Sequence, residues 1–232
     1  MTQFWKGKTV VGYIALKHHT RFITPLFKAL GELGANLSYL VGQAERSQEI
    51  TAIEQGLEYR HIFDYLDDSD TPEIIENYHR MRNGMHPALL KTVDYDSQAP
   101  TVMDKTFFAT AQEYVGFKNF FKTASPDICI ALHEVNRWGK LFSFFSKKNN
   151  IPFVSLQEGL FSISSFQFGS IGHIQNSTLG LLWGSGSKSF LCNYETPKER
   201  AFLTGNTHLA SEIQNLDQNN VRQVKRREYD LE

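Results

Sequence analysis

Two adjacent histidines, His18 and His19, stand with Thr20 and Arg21 directly behind the apolar run Lys8–Leu16. Imidazole titrates near neutrality, so a histidine placed there can take a proton from a hydroxyl, a contribution of about a hundred- to ten-thousand-fold in rate. A helix starting right behind the pair favours an anion nearby. A capping loop explains the same four residues, yet two histidines at a strand-to-helix turn have no packing purpose. A carboxylate, Glu158, follows a second apolar run, between Gln157 and a Gly159 that permits close backbone approach. His133, Glu134, Asn136 and Arg137 follow a third such run. Asn136 as a helix cap with a first-turn ion pair accounts for these four equally well. His173, Asn176 and Ser177 form a fourth polar group, suited to hydrogen bonds with a polyol or sugar and equally to a surface loop. The catalytic candidates are His18, His19 and Glu158; the other residues named are binding candidates.

The elements that must position these groups read as a doubly wound α/β sheet, a Rossmann-like domain flanked by helices. Strands are expected at residues 8–16, 36–41, 58–63, 128–132, 152–156, 178–184 and 200–204, from short β-branched and apolar runs. Helical periodicity covers residues 22–33, 44–56, 72–93 and 104–124, and an amphipathic segment runs to Lys148. Asp70 or Thr71 should cap the helix that opens at Pro72. The aromatic face of residues 104–124 belongs to the core. Residues 160–172, rich in Ser, Phe and Gly, read as an irregular loop. Strands followed by helices put polar strand ends on one sheet edge, where open α/β sheets bind ligands.

Composition excludes several classes. The chain has 232 residues and a formal charge of -1, which gives no electrostatic basis for nucleic-acid binding. No apolar run reaches the roughly 20 residues of a membrane span, and no signal-peptide core is present, so a cytoplasmic location is expected. Two lone cysteines, Cys129 and Cys192, read as inert thiols. Trp183 to Ser189 has the flavour of a phosphate loop, but Ser187 stands where that loop needs glycine. The dinucleotide fingerprint, the nucleophile elbow and metal-ligand spacings are all missing, so no cofactor and no metal is expected. Lys225, Arg226 and Arg227 read as a solvated helix face.

The runs HHTRFITPLFKAL, PDICIALHE, IPFVSLQEGL and above all FLTGNTHLAS together resemble the N-terminal half of a GT-B fold protein. In glycosyltransferases of that fold, and in the related UDP-N-acetylglucosamine 2-epimerases, a V-T-G-N sequence closes the first domain; Leu203–Thr207 matches it, with Asn206 as its asparagine. The resemblance implies a Rossmann-like domain over residues 1–205 and a linker over 206–232 toward an absent C-terminal domain. It further implies the acceptor-side half of a transferase for surface glycans, with a nucleotide-sugar donor held mainly by the second domain and a glycan or lipid-linked acceptor. Such a protein would be cytoplasmic or peripheral to the membrane's inner face, and the chain alone would lack turnover. His18 or His19 would deprotonate the acceptor, while Glu158 and His133 position sugar or base. The epimerase loop G-T-R-P-E is matched only at Thr20-Arg21, and H-V-E-A-G-L resembles Leu156–Leu160 with one residue missing. A second epimerase carboxylate has no counterpart around Gly172 and His173, which favours the transferase over the isomerase. A non-catalytic binding or assembly domain is the remaining alternative.

Overall fold

Strands apolar on both sides, such as the fully buried Ile128–Leu132, need cover on both faces, and among the described residues seven strands form one parallel sheet in the order β3-β2-β1-β4-β5-β6-β7. They span Thr9–Ile14 (β1), Asn36–Val41 (β2), Tyr59–His61 (β3), Ile128–Leu132 (β4), Phe153–Leu156 (β5), Leu179–Leu182 (β6) and Ala201–Leu203 (β7). Every neighbouring pair is parallel, with Val10 opposite Ile128 and Leu37, and Cys129 opposite Phe153. The structure is a computed structural model that describes residues 2–42, 56, 58–84, 99–132, 134, 136–159, 176–193 and 198–215. The chain winds outward from β1 in one direction and from β4 in the other, so the crevice between their C-terminal ends is the topological switch point.

Alternation along the strands sorts two cores. Val11 and Tyr13 of β1 face one side with Cys129 and Ala131 of β4, under Phe117, Phe120, Phe121, Phe142 and Phe145. These aromatics come from helices α4 (Ala99–Thr123) and α5 (Arg137–Lys148), numbered after α1 (Thr2–Trp5), α2 (Thr20–Glu32) and α3 (Thr71–Asn83). Val10, Ile14, Ile128, Ile130 and Leu132 face the other side, where α2 supplies Phe22, Ile23, Phe27 and Leu30. The aromatic stripe of residues 104–124 is therefore core, as its composition implies, although Phe108 stays 43% exposed. Close approach needs glycine at one point: a Cβ on Gly116 would lie 2.8 Å from the Ile62 carbonyl oxygen, so α4 could not otherwise sit on the 3-10 turn Ile62–Tyr65.

Several expectations shift on contact with the structure. Helix α4 begins at Ala99 rather than 104. Asp70 stands at the N-cap of α3 but does not cap it. Its carboxylate instead accepts from the Asp67 amide (3.0 Å) and from Asn119 (2.9 Å), a capping box for the turn Asp68–Asp70 that competes for the same oxygens. Residues Ser185–Cys192 form a helix (α6) that begins within the run that resembled a phosphate loop and continues past it. The segment expected as a linker opens with helix α7 (Thr207–Asn215), docked on α2: Thr207 donates to the Phe22 carbonyl at 2.9 Å, and the Phe22 and His208 rings meet edge to face. The expected helix 44–56 lies outside the described residues except Gly56, as do 85–93 of the third expected helix, the loop 160–172 and Lys225–Arg227. At the sheet's ends, β3 and β7 have three residues each, and Phe202 and Leu203 on β7 are about half exposed.

Cys129 is fully buried, and burial pushes its thiol up to about 12, with a side-chain hydrogen bond to Ser146 acting the other way. Cys192 is only partly buried. A thiol-specific aromatic disulfide at pH 8 should therefore titrate Cys192 in the native protein and Cys129 only after denaturant is added; peptide mapping that finds Cys129 labelled first would contradict this packing.

Candidate active site at the sheet rim

The β1 strand ends at Ile14, and the chain turns through a 3-10 turn, Lys17–His19, straight into α2. The turn is held by His19 N–H to the Leu16 carbonyl (2.9 Å) and by the Thr20 hydroxyl to the Lys17 carbonyl (2.8 Å). This geometry divides the two histidines. His19 is turned inward, 2% exposed, and its Nδ1 accepts the Ala15 amide proton at 3.3 Å. His18 is turned outward, 39% exposed, with its ring set edge-on to that of His19 at 4.9 Å.

Glu158 reaches the same place from two strands away. Its neighbour Gln157 is buried and uses its whole amide as a clamp. The nitrogen donates to the Gly159 carbonyl (2.8 Å) and the Ser187 hydroxyl (2.9 Å), and the oxygen accepts from the Trp183 amide (2.8 Å). The next carboxylate is thereby aimed across the end of β4. Glu158 Oε1 contacts His18 Nε2 directly and lies 3.8 Å from His19 Nε2. The fold thus brings together the three catalytic candidates, two of them 140 residues apart, at the switch-point rim.

The binding candidates fall into other roles. Glu134 is buried and accepts from the Asn176 amide (2.8 Å), the Ser177 amide (2.7 Å) and the Ser177 hydroxyl, so three of them bind one another and pin the chain entering β6. Asn176 also contacts Ser143 and Lys147. Asn136 caps α5 through the Gly139 amide at 2.8 Å, and Asn206 accepts from the Leu209 amide at 3.1 Å in the first turn of α7. Arg137 pairs with Glu113 through Nε (2.9 Å) and Nη2 (3.2 Å). Thr20 is buried, Arg21 is exposed, and among the described residues nothing stands where a Cβ on Gly159 would lie. His133 and His173 lie outside the described residues.

Glu113 is the polar residue that sequence reading passed over. It is 1% exposed and also accepts from Trp138 Nε1 at 3.0 Å. Burial raises its carboxyl above the ordinary range, and the bonds from Arg137 and Trp138 pull the other way. The signal was available: Glu113 sits four residues before Phe117 and seven before Phe120, inside the apolar stripe of α4.

His18, His19 and Glu158 offer two imidazoles and a carboxylate within 4.8 Å of one another, a donor set of the kind that takes zinc. No sequence spacing could show it. A ligating histidine normally donates its second ring nitrogen to a carbonyl or carboxylate, however, whereas His19 Nδ1 accepts from an amide. The hydrogen-bonding of His19 does not fit metal ligation.

No family model and no curated protein matches the chain. Solved structures do match in shape. UDP-GlcNAc 2-epimerase from Neisseria meningitidis, solved bound to UDP-GlcNAc, superposes with a TM-score of 0.59 at 12% identity, covering 95% of this chain and 53% of that one. UDP-N-acetylglucosamine 2-epimerase from Rickettsia bellii gives 0.59 at 10% identity over 90% and 47%. A glycosyltransferase from Rickettsia africae gives 0.52 at 12% identity over 98% and 51%. The chain spans about half the length of these proteins, and the fold is the Rossmann-like half of a GT-B architecture.

Two consequences are measurable. Glu134→Gln should destabilise the protein by about 2 kcal/mol in urea unfolding, because an amide nitrogen would face donors that a carboxylate accepts; an unchanged midpoint would remove its pinning role. For Glu113 the raised folded carboxyl contributes stability that is present below its ordinary value of 4.5 and lost as pH rises through the folded value. Wild type should therefore gain in melting temperature relative to Glu113→Gln between pH 7 and pH 5, and a falling difference would contradict the burial effect.

Proposed function

We propose that this chain is the acceptor-side half of a GT-B glycosyltransferase that moves a sugar from a nucleotide-sugar to an acceptor hydroxyl in surface-glycan assembly. The observation that carries it is the contact of a part-exposed His18 with Glu158 at the switch-point rim of a GT-B half-domain. With Nε2 directed to the carboxylate, His18 Nδ1 is the ring nitrogen left for the acceptor. The acceptor hydroxyl gives its proton to Nδ1, its oxygen bonds to the anomeric carbon, and the bond from that carbon to the nucleotide phosphate breaks. Glu158 orients the imidazole and offsets the positive charge it gains. The donor is held mainly by a second GT-B domain, so transfer needs that half, and the cytoplasmic face of a membrane is where a lipid-linked acceptor would be met. No described helix is long and apolar enough to cross a membrane.

The second reading is an epimerase-like isomerase, favoured by one observation: four 2-epimerases score 0.57–0.59, against 0.52 and 0.50 for a glycosyltransferase and MurG. The two separate in one experiment. Saturation-transfer NMR against a panel of mono- and oligosaccharides should show acceptor binding that Glu158→Ala weakens about fivefold, the equivalent of one lost hydrogen bond of about 1 kcal/mol. In parallel the chain is incubated with UDP-GlcNAc. Formation of the 2-epimer would select the isomerase, and sugar transfer by this chain alone would defeat the half-enzyme reading. Absence of any saccharide signal would leave a binding domain of another kind.

A further inference from the structure

We infer that His19 is not a base but a positioning residue, which holds Glu158, and through it His18, by presenting a proton fixed on one ring nitrogen. Exposure separates the two rings: at 2%, His19 has no surface to offer an acceptor, whereas His18 at 39% does. The backbone also sets the tautomer of His19. The Ala15 N–H donates to His19 Nδ1, so a neutral ring must carry its proton on Nε2. That nitrogen is the one 3.8 Å from Glu158 Oε1, close enough for attraction and longer than a hydrogen bond.

Ala15 is an apt anchor because it is itself fixed. It directly follows β1, whose last residue Ile14 receives the Gly42 amide on its carbonyl at 3.0 Å. A backbone amide held by the central sheet therefore sets a side-chain tautomer. The edge-on ring contact with His18 adds a second constraint on the pair. Glu158 is approached by both histidines on the same oxygen, Oε1. His18 Nε2 can then act only as a donor to that carboxylate, which leaves its Nδ1 without a proton in the neutral ring. The order of influence runs from amide to His19, to Glu158, to His18. The same order explains why the trio is poorly suited to zinc: metallation of His19 at Nε2 would move its proton to Nδ1, against the Ala15 amide.

The test is NMR of the whole chain labelled with ¹⁵N-histidine, which reads ring protonation without any assay of activity. In wild type, both His18 and His19 should show a protonated Nε2 and a bare Nδ1. His19→Gln, whose amide reaches the Nε2 position and can donate there, should leave the His18 signature in place. His19→Asn, whose Oδ1 can accept the Ala15 amide but whose NH2 falls short of the Nε2 position, and His19→Phe, which offers no polar atom, should return His18 to an exchanging mixture of tautomers. A protonated Nδ1 on His19, an unchanged His18 in all three variants, or loss of the His19 Nε2 proton on addition of Zn²⁺ would each overturn the inference. The wild-type spectrum is decisive even if a variant fails to fold. The kinetic arm rests on the transferase reading: in an assembly competent for transfer, His19→Phe should lower kcat about 10- to 100-fold with KM unmoved, and His19→Gln should recover most of it. The expected spectra without any transfer would uphold the positioning and defeat the transferase; transfer with the wrong tautomer would do the reverse.

Discussion

The pairing of β1 with β4 is the constraint on which the rest depends. It joins two half-sheets that wind in opposite directions, and it alone decides which loops share a rim. Its register is locked at the end away from the site by Asp127. One carboxylate oxygen takes the Lys8 ammonium at 2.7 Å and the other the Thr9 amide at 2.9 Å. That arrangement holds the carboxyl below its ordinary range. Because both groups are substantially exposed, the pair adds specificity of alignment more than stability. A one-residue slip would exchange the two core faces, putting Tyr13 where Ile14 packs, and would carry His18 away from Glu158.

Around that seam, most polar groups are committed to holding backbone in place. Gln157, Glu134, Asn136 and Asn206 each satisfy amides or carbonyls of a neighbouring segment. Glu113 ties α4 to the start of α5 through Arg137 and Trp138. Such groups are expensive to bury and cheap once paired, which is why they gather at strand ends, where loops would otherwise leave backbone groups without partners. His18 differs in being tied to Glu158 on one side while keeping a solvent-facing surface on the other.

The fold was legible in the chain because parallel strands buried on both faces write themselves as short apolar runs; residues 36–41 and 128–132 are read to the residue. The convergence of His18, His19 and Glu158 was legible too, since it follows from strand ends sharing an edge. What could not be read is how each polar side chain is spent. Glu134, in a polar strand-end cluster, looks from sequence much like Glu158, yet it turns inward because two amides of residues 176–177 await it. Helix α6 escaped because serines and glycines carry weak helical preference, and tertiary packing of Leu191 decides the matter. Asp70 misled because a capping residue has two helical turns within reach.

The sheet also tapers. Its outermost members, β3 and β7, expose only three residues of ladder each, while the central β1 has six. An open sheet is vulnerable to recruiting foreign chains along its flanks, and the half-bare Phe202 and Leu203 make one flank sticky. A foothold three residues long gives an intruding strand too few bonds to repay its ordering. Among the described residues, brevity at the margins thus limits what either flank can recruit.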